Sequence, residues 1–155
     1  MLRIGVISDT HGLLRPEALA FLAGSDFIVH GGGIGNAAIL AELAAIAPLT
    51  VVRGNNDKGD WAAAVPHSAM LAVGAVRLYA LHDIADLDAG ALPADVRVVV
   101  YGHSHRPLAE RRGPLLYLNP GSAGPRRFSL PVSAAELLVD GAQVRANIVE
   151  LIARR

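Results

Sequence analysis

Residues 3–12 read Arg3-Ile4-Gly5-Val6-Ile7-Ser8-Asp9-Thr10-His11-Gly12. A short apolar run ending in polar residues suits a buried strand. The carboxylate and imidazole come directly after it, which puts chemistry in the loop beyond the strand. The arrangement returns along the chain. Leu49–Arg53 reads as a strand and leads into Gly54-Asn55-Asn56-Asp57. Val76–Leu81 leads into His82, and Val96–Tyr101 into Gly102-His103-Ser104-His105. In open α/β sheets the loops at the C-terminal ends of strands line the ligand crevice. Asp9, His11, Asn55, His82, His103 and His105 are therefore expected to converge on one patch. The two-residue spacing within Asp9/His11 and His103/His105 predicts, for extended backbone, that each pair points one way. Imidazole, carboxylate and carboxamide donors together suit borderline divalent ions.

Between these segments, Pro16–Ala23 and Ala37–Ala47 have helical character, and Asp26–His30 reads as a strand. Met70–Val73 and Val76–Leu81 flank Gly74 as a hairpin. A loop or short helix covers Asp83–Leu92, and Leu115–Asn119 is a further strand. Val132–Val139 and Gln143–Leu151 surround Asp140-Gly141, a strong hairpin signal. Helices interleaved with strands, followed by hairpins, predict an α/β domain of two packed sheets with helices outside. No repeat or linker divides residues 1–155, so one domain is expected.

Composition narrows the function. The 155 residues are 52% hydrophobic and carry no formal net charge. A sizeable core is feasible. A broad basic face for nucleic acid is not expected. A small phosphorylated ligand stays open, because a metal supplies local positive charge. With no cysteine, disulfides and zinc–thiolate sites are excluded. The apolar runs are too short to span a bilayer and no signal-peptide pattern is present, so no membrane association and a cytoplasmic location are expected. Neither nucleotide-binding glycine fingerprint occurs.

Each segment alone has an ordinary explanation. An Asp-x-His after a strand is commonly a turn or cap, Asn and Gly are turn formers, and a lone histidine such as His82 is commonly a core residue. Their joint occurrence after successive strands points to a site.

Taken together, Asp9-Thr10-His11, Gly32-Gly33, Gly54-Asn55-Asn56-Asp57, His82 and Gly102-His103-Ser104-His105 resemble the calcineurin-like metallophosphoesterases. The order and rough spacing match D-x-H, G-D, G-N-x-D, H and G-H-x-H. The stretches SDTHG, GNND, LHD, GHSHRP and LYLNPGSAGPRR are similar to the short phosphodiesterases of the YfcE type. The resemblance runs from Arg3 to about Val149. It implies a four-layer α-β-β-α sandwich of two mixed sheets. It also implies two divalent ions, with manganese common and iron, nickel or zinc as alternatives. Asp9, His11 and His105 would bind the first ion, and Asn55, His82 and His103 the second. A bridging hydroxide would attack a small-molecule phosphodiester. His82 and Asp57 take the catalytic roles, Asp57 either supporting the ligands or handling protons, with a cap or ion pair as its alternative.

The resemblance breaks at Gly33, where the family places a bridging aspartate. Two divalent ions bring four positive charges together, and bridging anions screen much of their repulsion. Losing one carboxylate should weaken the second ion most. Glycine is also expected to leave room for water or another anion. Asp83 and Asn36 are the nearest substitutes by sequence, although both read as solvated loop residues. Activity is therefore expected to be impaired, and a non-catalytic metal-binding scaffold, as a retromer subunit of this fold is, stands as the alternative.

His30 is expected to hydrogen-bond near the metals or to be a buried structural residue, and His67 to be solvated. Arg126 and Arg127 are read as a solvated edge within reach of a substrate phosphate, and Trp61 as a core residue. Ser122 lacks a partnered base and is not expected to be a nucleophile. The apolar C-terminal hairpin could pair with a second copy, giving a homo-oligomer, although packing within the domain explains it equally well.

Overall fold

The computed structural model describes residues 1–153. Among the described residues, ten strands form two five-stranded sheets. The first holds β1 (Leu2–Ile7), β2 (Phe27–His30), β3 (Leu49–Val51), β9 (Ser133–Asp140) and β10 (Gln143–Glu150) in the order β10-β9-β1-β2-β3. β1, β2 and β3 run parallel, while β9 is antiparallel to both β1 and β10. The second sheet holds β4 (Ser68–Val73), β5 (Val76–Leu81), β6 (Val96–Val100), β7 (Leu108–Arg112) and β8 (Leu115–Asn119) in the order β4-β5-β6-β8-β7. Its middle strands β5, β6 and β8 are parallel and its edges antiparallel.

Strand alternation builds two core layers from the same strands. Ile4, Val6 and Val29 face Leu78, Val98, Val100 and Leu118 across the gap between the sheets. Ile7 and Ile28 point to the other side, toward Leu22 of α1 (Pro16–Leu22) and Leu43 of α2 (Ala37–Ala44). Pro16 occupies the first turn of α1, where its missing N–H costs nothing, and the Asn36 side chain caps α2 by accepting Ile39 N–H. The outer face of the second sheet, at Leu81, Val99, Tyr101 and Tyr117, is covered more thinly. Two 3-10 turns, Ile84–Asp86 and Ala89–Ala91, take the place of an α-helix there.

The strand Leu108–Arg112 leaves no burial pattern in the sequence. All five of its residues are exposed, so it carries no apolar alternation. It pairs with β8 through a Gly113-Pro114 turn and closes one edge of the sheet with charge, which discourages edge-to-edge association. The C-terminal hairpin packs within the molecule, with β9 between β10 and β1.

The ends of β1, β2 and β3 in one sheet, and of β5 and β6 in the other, come together. Gly31 N–H reaches back to the Ile7 carbonyl at 2.9 Å, and Gly102 N–H donates to the His82 carbonyl at 3.0 Å. The site is built at this junction.

Candidate metal centre

Asp9 lies at the middle of the junction with no exposed surface. Its Oδ2 accepts the Ser8 hydroxyl at 2.8 Å and the His103 N–H at 3.1 Å. Its Oδ1 faces three imidazoles, with His11 Nε2 at 3.2 Å, His105 Nε2 at 3.5 Å and His82 Nε2 at 3.8 Å. One oxygen is thus fixed by protein donors and the other is presented to the cavity.

His11 Nε2 and His105 Nε2 are 3.3 Å apart, and the two rings stack. Asp9 Oδ1, His11 Nε2 and His105 Nε2 therefore form a triangle with edges of 3.2–3.5 Å. Donors about 2.0–2.2 Å from one ion sit about 3.0–3.6 Å apart, so the triangle fits a divalent cation. The two imidazole nitrogens face each other, and a hydrogen bond between them needs the proton on one and the lone pair on the other. His105 Nδ1 is also buried and lacks a hydrogen-bond partner in the described structure.

Burial alone would push the Asp9 carboxyl up. The His11 hydrogen bond, His82, the Ser8 hydroxyl and His105 outweigh it, and the group sits below the usual carboxylate range. Burial pushes His105 down, against the pull of Asp9, which keeps a lone pair available.

The remaining expected ligands are near but looser. His82 is buried, and its Nδ1 lies 2.7 Å from the Gly31 carbonyl. That bond places a proton on Nδ1 and turns Nε2 toward Asp9 Oδ1, at 3.8 Å. His103 stands edge-on to His82, with ring centroids 5.2 Å apart. Asn55 and the half-exposed His103 line the same cavity of about 80 Å³, with Asn56 and Arg127 at its rim. Asp83 Oδ2 lies 3.8 Å from His103 Nε2, so Asp83 is turned toward the site rather than being a bystander of the loop. Asn36 is instead committed to capping α2.

The backbone here is unusual. Asp9, His11, His103 and His105 all have positive φ, between 45° and 72°. The two-residue pairs are therefore not extended; Asp9 and His11 still meet at 3.2 Å, whereas His103 and His105 diverge. His105 turns inward to Asp9 and His11, while His103 turns outward to His82 and Asp83. Left-handed non-glycine residues cost energy and persist where surrounding contacts over-determine them.

At Gly33 the expected empty space is absent. A Cβ built there would lie 2.6 Å from Asp9 Oδ1 and 3.0 Å from His11 Cε1, because the Asp9 carboxylate itself fills the position. Asp57 holds this loop. Its buried carboxylate accepts the N–H groups of Gly33, Ile34, Gly35 and Gly54 at 2.8–3.1 Å.

The calcineurin-like phosphoesterase superfamily domain matches residues 2–141. This chain belongs to that superfamily. A probable metallophosphoesterase of Methanothermobacter thermautotrophicus is 33% identical, over 94% of this chain and 91% of that protein. The fold is shared with the Escherichia coli phosphoesterase YfcE, at 24% identity and TM-score 0.71, covering 97% of this chain and all of that one. It is shared equally with Vps29 of Entamoeba histolytica, solved in complex with zinc, at 21% identity and TM-score 0.73, covering 97% and 100%.

Several residues of this calcineurin-like domain carry structural work beyond that of the expected ligands. Ser8 fixes Asp9, as above. Asn119 ties the Gly102–His105 loop to the next one, donating to Gly102 O and Ser104 Oγ at 3.1 Å while accepting Gly121 N–H at 2.9 Å. Both lie within stretches that carry the family resemblance, SDTHG and LYLNPGSAGPRR. Ser122 Oγ is occupied by the Asp9 and Pro125 carbonyls, at 3.1 and 2.8 Å. His30 accepts Gly32 N–H on Nδ1 and contacts Thr10 Oγ1 through Nε2, both at 3.0 Å, and burial pushes its pKa down to about 4. His67 is exposed, and Trp61 packs against the α1–α2 core. Among the described residues no helix is long and apolar enough to cross a membrane.

Proposed function

We propose that the protein is a metal-dependent phosphodiesterase acting on a small phosphodiester, with one ion held firmly and a second held weakly. The observation that carries this reading is the triangle of Asp9 Oδ1, His11 Nε2 and His105 Nε2. Asn55, His82 and His103 would hold the second ion; all three are neutral donors. Manganese suits the set, as do iron, nickel and zinc. When bound, the ions supply Lewis acidity and water activated for in-line attack on phosphorus.

The chain's own residues prepare that chemistry. Ser8 and the His103 N–H orient Asp9 so that Oδ1 alone faces the cavity. The Gly31 carbonyl sets the His82 tautomer. Arg127 at the rim offers a fork of donors matched to phosphate oxygens. Asp57 acts by positioning the Gly33–Gly35 loop, since four backbone donors engage its carboxylate. No side-chain nucleophile is needed, and Ser122 is turned away.

A non-catalytic metal-binding scaffold is the second reading, favoured by the filled space at Gly33 and the lack of a second carboxylate in the triangle. The test is metal content per chain together with hydrolysis of bis-p-nitrophenyl phosphate against p-nitrophenyl phosphate. Metal-dependent turnover with diester preference supports the enzyme. Bound metal without turnover for manganese, iron, nickel or zinc supports the scaffold.

A further inference from the structure

Beside the metal cavity lies a larger one of about 420 Å³. The two share Asn55 and His82, so a group placed on the metals extends directly into it. Its volume is in the range of small-ligand pockets. Arg53 and His67 stand together at one wall, because Arg53 N–H donates to the carbonyl of Pro66, next to His67. The half-buried Arg53 guanidinium has no hydrogen bond, ion pair or ring contact with any described residue. Tyr79 of β5 also lines the cavity, with Asp83 and Asp86 of the adjoining 3-10 turn.

A guanidinium left unpaired beside a phosphoester site is a ready partner for a second anion. The two carboxylates make the cavity hostile to a bare polyanion and suit hydroxyl donors instead. We infer that this cavity binds the leaving group of the diester, and that this group is a polyol or sugar ending in a second anionic group held by Arg53 and His67. This rests on the phosphoester reading above.

The test is calorimetric binding to the manganese-loaded protein of glycerol 1-phosphate and glycerol 1,3-bisphosphate, with bis-p-nitrophenyl phosphate hydrolysis followed separately. The bisphosphate is expected to bind at least about tenfold more tightly than the monophosphate in the wild type. Arg53→Gln should reduce that gain to within about twofold, while Arg53→Lys keeps part of it, and neither should change monophosphate binding or hydrolysis by more than about twofold. Equal affinity of the two ligands in the wild type, or a gain that survives Arg53→Gln, overturns the inference. Hydrolysis without the gain removes the subsite and leaves the phosphoesterase reading. The gain without hydrolysis leaves the anion subsite and removes the catalytic reading.

Discussion

The Asp57 carboxylate accepts the Gly33 N–H at 3.1 Å, joining the loop after β3 to the loop after β2. With three further backbone donors on the same group, Asp57 acts as the knot of the site. Asp57→Ala leaves these buried donors unpaired and should destabilise the protein by about 3 kcal/mol or more. Asp57→Asn should cost less. The separating measurement is the pH–rate profile of Asp57→Asn, which keeps its shape if Asp57 only positions the loop. Loss of one limb would assign Asp57 to proton transfer instead.

Asp83 is the carboxylate that approaches the outer histidine, at 3.8 Å from His103. Ligand charge count tunes cation affinity. Asp83→Asn is therefore expected to weaken the second metal about tenfold, read by calorimetry, while leaving the first binding step unchanged. Equal weakening of both steps would contradict the division into two clusters.

Gly33→Asp adds a carboxylate that the proposed second ion would otherwise lack. Asp tolerates positive φ better than most residues, and Gly33 has φ of 71°. The new side chain must still displace the Asp9 carboxylate from its present place. The expected outcome is lower stability without metal, from like charges in contact, and tighter binding of the second metal with faster diester turnover. Metal stoichiometry and melting temperature with and without manganese check both halves. Unchanged metal content would refute the charge argument.

Gly102 packs against the other side of Asp9. A Cβ there would lie 2.0 Å from Ser8 Oγ and 2.7 Å from Asp9 Oδ2. Gly102→Ala should displace both groups and weaken the first metal at least about tenfold, the usual cost of losing a support for a ligand. Metal titration of the folded variant measures it.

His30 links stability to pH. Its pKa is about 4 in the folded protein, against an ordinary value of 6.5. Between those values the unfolded chain binds a proton that the folded chain refuses, so stability is complete above 6.5 and declines as pH falls toward 4. The loss between neutral pH and pH 5 should be about 2 kcal/mol in urea unfolding of the metal-free protein. His30→Gln should flatten that slope, and an unaltered slope would remove His30 as its source.

Much of the architecture was readable because burial imposes periods on sequence. Ile4 and Val6 against Ile7, and the turns at Gly74 and Gly141, announced strands and hairpins directly. Leu108–Arg112 was hidden because a charged edge strand has no buried face to leave a pattern. The outer layer over Tyr101 and Tyr117 was ambiguous for a related reason, since 3-10 turns are too short to show helical spacing.

The sequence by itself determined which donor atoms exist and that each follows a strand, because residue type and apolar runs are local properties. It also determined that Gly33 lacks a carboxylate. Only the tertiary structure decided how those donors divide. The left-handed backbone at His103 and His105 sends neighbouring imidazoles to different clusters, the Asp9 carboxylate fills the space beside Gly33, and Asp57 and Asp83 acquire roles from partners distant in the chain. Those outcomes depend on backbone dihedrals and on contacts across two sheets, which residue spacing does not encode.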